Sequence, residues 1–208
     1  MLLRELEIPF SERVVPFDQE QPNAFKVFSP TGKVPCLVDG DTVVWDSLAI
    51  AEYAAELNPL VWPKDRVARA WARSASAEMH SSFSTVRNHC GMNCAVRVRL
   101  HENPPALKAE WARIDALWCE GLKRFGGPFL AGERFTGVDA FYAPVAFRVL
   151  TYSPELSATA LSYAERLRTL GSMRDWYTSA LAEPWRDPPH EAEIREYGTV
   201  LEDFRNTP

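Results

Sequence analysis

Beyond residue 65, apolar residues recur every three or four positions; before it, they come in short runs cut by turn residues. From Arg66 to Arg87, Val67, Trp71, Ala75, Met79, Phe83 and Val86 fall on one face, which predicts a single long amphipathic helix. A second helix is predicted from Ala106 to Phe125, with Leu107, Trp111, Ile114, Trp118, Leu122 and Phe125 on its buried side. A third begins at Thr136, where Asp139 supplies an aspartate version of the capping box, and it contains Pro144, which should bend it. A fourth is predicted from Ala158 to Ala182. The tail from Glu183 is rich in proline and charge and is expected to lie irregularly over the surface.

The first part of the chain follows other rules. Leu2, Leu3, Leu6 and Ile8 cluster as the end of a helix over residues 1–8, which Pro9 stops. Ser11 to Asp18 reads as a strand weakened by Pro16, and residues 19–32 as a polar loop broken by Pro22, Pro30 and Gly32. Val34 to Val38 is a short apolar strand, Asp39-Gly40-Asp41 a hairpin signal, and Thr42 to Trp45 the returning strand. Asp46 or Ser47 can cap the helix that follows, which keeps Leu48, Ala51, Ala55 and Leu57 on one face and ends at Asn58-Pro59. Pro63-Lys64-Asp65 reads as a linker. The predicted organisation is therefore a mixed α/β domain over residues 1–63 and an all-helical domain over residues 66–208.

Composition narrows the function classes. At 208 residues, with 46% hydrophobic and 25% charged content, the chain has the make-up of an ordinary globular protein. A net charge of -5 provides no basic footprint for nucleic acid. No apolar run approaches the ~20 residues that cross a bilayer, and Glu5 and Glu7 break any secretory signal core, so no membrane partner is expected and the cytoplasm is the default compartment. The four cysteines are Cys36, Cys90, Cys94 and Cys119. Cys90 and Cys94 would share a helical face with His89 beside them, but two further metal ligands at suitable spacing are missing. They read as small buried or half-buried thiols, and no metal is expected.

Two segments carry a resemblance to a known family. KVPCLVDGDTVVWDS, with its Val-Pro and Asp-Ser pairs, and FLAGERFTGVDAFYAPVAFRV, from Phe129 to Val149, resemble the cytosolic glutathione S-transferases. AEMHSSFSTVRNHC and AEPWRD are similar to a bacterial branch of that family. The resemblance covers nearly the whole chain. It implies a thioredoxin-like N-terminal domain, here truncated, followed by an all-helical C-terminal domain, with glutathione as co-substrate and a detoxifying role. It also implies a cis Val34–Pro35 bond and main-chain pairing of Val34 with the cysteinyl part of glutathione. The γ-glutamyl carboxylate would meet Ser47 at the helix entrance, Asp46 would take the peptide's ammonium, and Lys33 would face the glycyl carboxylate.

The same resemblance implies a Ser, Tyr or Cys that activates the thiol, in a loop before the first helix. No residue here matches it. MLLRELEIPF already looks like the back half of that helix, and Ser11 follows the helix rather than preceding it. The expectation is that the given start is too late by roughly twenty residues, a strand, a loop and two helical turns. A degenerate protein without catalysis is the alternative.

A small electrophilic second substrate would sit between the domains, against the long helix. There Arg73, Ser76, His80, Ser84 and Arg87 form a polar stripe. A solvated face is the plain reading; if the stripe faces the cleft, His80 and Arg87 bind an anionic electrophile. The resemblance also implies a homodimer through the Leu48 helix and the long helix. Three readings stay open: a transferase or glutathione-dependent isomerase, a non-catalytic binding protein on the same fold, and a disulfide reductase.

Overall fold

Local capping decides where most elements begin. The computed structural model describes residues 1–17 and 24–205. Helix α1 is a single turn, Leu2–Glu5, and Leu2, Leu3, Leu6 and Ile8 pack on the core as their spacing predicts. A 3-10 turn over Ala24–Val27 precedes a hairpin of β1 (Leu37–Asp39) and β2 (Thr42–Val44), in the register Leu37↔Val44 and Asp39↔Thr42. Gly40 opens its two-residue turn at φ +57°, a conformation that favours glycine. Helix α2 (Ser47–Leu57) starts where the Asp46 carboxylate accepts the Leu48 and Ala49 N–H groups, and buries Ala51 and Ala54; Leu57 stays exposed.

The predicted strand from Ser11 is not formed over its described residues. Residues 11–17 are irregular and make no backbone–backbone hydrogen bond among the described residues. A strand needs a neighbouring ladder to satisfy its N–H and C=O groups, and the described hairpin contains β1 and β2 alone. Asp18 and residues 19–23 of the predicted loop lie outside the described residues.

The predicted helix from Arg66 to Arg87 is two helices. Asp65 caps α3 (Arg66–Ser81) through the Ala68 N–H at 2.8 Å, and α4 (Ser84–His89) follows a break at Phe83, whose backbone is left-handed at φ 60°. Both sides of the break are satisfied from elsewhere. Arg87 donates to the carbonyls of Met79 and Ser82, which end α3, and the Glu110 carboxylate accepts Thr85 N–H at 3.1 Å and Val86 N–H at 2.7 Å, which starts α4. Phe83 itself is buried, so the turn sends its ring into the core. Cys90 ends α4, and it and Cys94 are buried thiols off any shared helix, pushed up to about 12 and about 11 by burial.

Helix α5 (Pro105–Phe125) matches its prediction within a residue, and Leu107, Trp111, Ile114 and Trp118 are buried. Helix α6 (Gly137–Tyr152) runs continuously across Pro144 through the centre of the core. Asp139 in its first turn is fully buried. It accepts N–H bonds from Leu130 (3.0 Å) and Thr136 (2.9 Å) and hydroxyl bonds from Thr136 (3.2 Å) and Tyr163 (2.8 Å). Trp118 packs edge-on against Tyr142 and Tyr163 above this network. The predicted fourth helix is also divided, into α7 (Ala158–Thr169) and α8 (Gly171–Leu181), because Leu170 is extended and the Glu5 carboxylate accepts the Ser172 N–H at 3.2 Å.

Over residues 188–203 the tail forms a helix and a strand rather than lying irregularly. After helix α9 (Pro188–Tyr197), strand β4 (Gly198–Asp203) pairs antiparallel with β3 (Val96–Leu100), in the register Val96↔Asp203 and Leu100↔Gly198. Val96 and Val98 are buried, while the Arg97 guanidinium lies over the Phe204 ring at 4.7 Å. The helical part thus carries a two-stranded sheet that periodicity at 3.6 residues did not predict. Between the two parts of the chain, buried Trp62 packs on Gly137, where an added Cβ would meet the indole ring at 2.9 Å.

Candidate functional site

Among the described residues, the segment before β1 leaves main-chain groups without a partner. The Val34–Pro35 bond is cis. Val34 is 44% exposed, and among the described residues its N–H and C=O carry no backbone hydrogen bond. The Ser29 hydroxyl donates to the Lys33 carbonyl at 2.6 Å and braces the loop, while the Lys33 side chain is exposed and forms no ion pair among the described residues. Cys36 turns its thiol to the Phe28 carbonyl at 3.4 Å, a packing role.

Across the hairpin, the entrance of α2 supplies the complementary groups. Asp46 uses Oδ1 as the cap, and its Oδ2 stands 3.2 Å from His80 Nε2 on α3. Burial opposes ionisation of this carboxyl, but the N–H bonds from Ala49 and Leu48 and the His80 charge outweigh it and hold it below the usual carboxylate range. Half-buried Ser47, next in line, has no hydrogen bond to its hydroxyl among the described residues, and its N–H belongs to the first turn of the helix, where N–H groups have no intrahelical partner. The His80 ring meets Phe141 of α6 edge-on at 6.5 Å.

A 380 Å³ pocket opens farther along these helices, lined among others by Arg87, Met92, Arg148, Glu193, Glu196 and Tyr197. Arg148 of α6 is 8% exposed. Its Nε donates to the Cys90 carbonyl at 2.7 Å, and its Nη1 reaches the Met92 sulfur and the Pro144 carbonyl at 3.5 Å. Burial first, then the neighbouring Arg87 charge, pull this guanidinium down to about 10.

Residues 1–57 match the sequence model of the glutathione S-transferase N-terminal domain, and residues 68–189 that of the C-terminal domain. The chain belongs to the glutathione S-transferase family. A probable maleylacetoacetate isomerase of Caenorhabditis elegans is 28% identical over 146 residues, 67% of this chain and 66% of that protein. A dichloromethane dehalogenase of Methylorubrum extorquens is 46% identical over 55 residues, 25% of this chain and 19% of its own length. A crystal structure of a glutathione transferase homolog from Burkholderia gl BGR1, with bound glutathione, aligns with a TM-score of 0.64 at 23% identity, covering 86% of this chain and 87% of that one. The chain spans less than two thirds of the length of the curated relatives it matches.

In this glutathione S-transferase fold, the residues singled out from sequence fall into two groups. Asp46 and His80 meet, with Ser47 beside them. Arg87 does not join His80 directly; it turns back to the Met79 and Ser82 carbonyls and reaches the second pocket. The polar stripe is not uniform: Ser76 is buried and bonds the Ala72 carbonyl at 2.8 Å, and Arg73 forms a two-point pair with Glu52 at 3.1 and 2.8 Å. Arg148 was missed. A lone arginine inside the apolar run FYAPVAFRV is its signal, since a buried cation must be satisfied from elsewhere in the fold.

Proposed function

We propose that this chain is a cytoplasmic, homodimeric glutathione transferase that conjugates or isomerises a small electrophile with the glutathione thiolate. The observation that carries the reading is that the Val34 main chain and the Ser47 hydroxyl have no partner among the described residues, beside a Lys33 carbonyl braced by Ser29 and a helix entrance capped by Asp46. An extended peptide bearing a carboxylate matches them. Val34 main chain would pair with the cysteinyl part, next to Pro35. Ser47 N–H and hydroxyl would hold the γ-glutamyl carboxylate at the positive end of α2. Asp46 Oδ2 would share itself between the ammonium and His80, and Lys33 would reach the glycyl carboxylate. Residues 1–63 would thus bind glutathione, and residues 66–208 would hold the electrophile with His80 and Arg87.

When bound, glutathione supplies a thiol whose thiolate is the nucleophile. An isomerase variant, in which the thiol adds and leaves again, uses the same residues. Exposed Leu57 of α2 and Val67 of α3 support a dimer contact on that face, and four free cysteines accord with a reducing compartment.

Retention on glutathione-agarose tests the reading. The wild-type chain should be retained and Ser47→Ala lost, with conjugation of a chloronitrobenzene electrophile measured alongside. Equal retention of both removes the Ser47 assignment. A chain that is never retained is better described as a binding protein on this fold, and thiol-disulfide turnover in place of conjugation would make it a reductase.

A further inference from the structure

We propose that the pocket between α4, α6 and α9 is a carboxylate subsite, in which Arg148 and Arg87 bind the acid group of the second substrate. Among the described residues, Arg148 is a buried cation without a buried anion. Its guanidinium is held in place by the Cys90 and Pro144 carbonyls and the Met92 sulfur, none of which carries charge. Among the described residues neither Arg148 nor Arg87 forms an ion pair. Taking a cation out of water is costly unless an anion compensates it.

The two arginines also repel one another, and the fold nevertheless keeps them on one pocket wall. Glu193 and Glu196 of α9 line the same pocket, but neither comes within ion-pair distance of either arginine. Arg148 Nη2 has no hydrogen bond among the described residues, and Arg87 Nη1 likewise. Planar guanidinium donors left over in this way suit a carboxylate. A pocket of 380 Å³ has room for a small organic acid.

The placement links the pocket to the glutathione end of the molecule. Phe141, against His80, and Arg148 lie seven residues apart on α6, about 10 Å along the axis. His80 itself stands on Asp46. Along α6, Arg148 therefore lies within about the length of one small molecule of that contact. That the acid is the second substrate rests on the transferase reading; the anion affinity of the pocket does not.

The test is calorimetric titration of the full chain with 4-nitrobenzoate and, separately, with the uncharged 4-nitrobenzamide, without glutathione. The benzoate should bind at least about tenfold tighter, the order of one charge-assisted hydrogen bond. Arg148→Gln should abolish the preference. Because Arg148 also braces Cys90, the exposed Arg87→Gln variant is measured too, and it should weaken the benzoate several-fold and leave the benzamide unchanged. Equal binding of the two probes to the wild-type chain, or an unchanged preference in Arg87→Gln and in a folded Arg148→Gln, overturns the subsite. Benzoate preference in a chain that glutathione-agarose does not retain would keep the subsite and remove the transferase reading. The reverse pattern would keep the transferase and remove the subsite.

Discussion

His80 Nε2 on α3 stands 3.2 Å from Oδ2 of Asp46, whose Oδ1 caps α2. One carboxylate therefore serves helix capping and the meeting of two elements, and its two duties are separable by substitution. Asp46→Asn keeps a side-chain cap and removes the charge. It should leave the melting temperature nearly unchanged and weaken glutathione binding roughly tenfold, by loss of a charged partner. Asp46→Ala should weaken binding similarly and also cost about 1 kcal/mol of stability. Thermal unfolding and glutathione titration of both variants check this; equal stability loss in the two would show that the cap is not the relevant duty.

Asp139 should give the fold a pH dependence of unusual sign. Burial raises its carboxyl to about 6 despite N–H bonds from Leu130 and Thr136 and hydroxyl bonds from Tyr163 and Thr136. The folded state therefore binds the proton more tightly than an unfolded chain with an ordinary Asp near 3.9. The stability tied to this proton is complete below about pH 4 and is lost as pH rises through about 6. In denaturant unfolding between pH 4 and 8, the advantage of wild type over Asp139→Asn should shrink by up to about 3 kcal/mol across that window. A constant difference would show that Asp139 does not change charge there. Asp139→Ala strands several buried donors at once and should cost more than about 3 kcal/mol at any of these pH values.

Gly121 lies inside α5, where alanine ordinarily gains about 1 kcal/mol over glycine. Here an added Cβ would stand 2.5 Å from the Trp71 ring and 2.6 Å from the Leu130 carbonyl oxygen. Backbone on one side and a packed indole on the other leave little room to yield, so Gly121→Ala should destabilise by about 1–3 kcal/mol. Denaturant midpoints decide the sign directly.

Thiol labelling should separate the cysteines by burial. In the native protein at pH 8, Cys90 and Cys94 should resist iodoacetamide, since burial pushes them up to about 12 and about 11. Peptide mass spectrometry after labelling with and without denaturant reads this out. Rapid native labelling of Cys94 would mean that β3 and the loop before it open readily.

The sequence was most informative where one local signal sufficed. Asp46 as the cap of α2, the Asp39-Gly40 turn, the run of α5 and the capping box at Thr136 were legible because each depends on neighbours within a few residues. The alternation Val96-Arg97-Val98-Arg99-Leu100 was also local, yet its meaning depended on a partner strand about a hundred residues later in the chain. The candidate site divided in the same way: Asp46 and Ser47 were visible as a helix entrance, whereas the burial of Arg148, with no ion pair among the described residues, became evident only once its surroundings were known.

By itself, then, the amino-acid order determined which segments are amphipathic, where caps and turns stand, and the family to which the chain belongs. Tertiary structure decided where helices stop. The breaks at Phe83 and Leu170 are held by the Glu110 and Glu5 carboxylates, the latter from the far end of the chain. Tertiary structure also brought His80 to Asp46 and Arg148 to Arg87. The physical reason is the same in each case: a helix end or a buried charge must be satisfied by some polar group, and only the folded chain determines which one is near enough to serve.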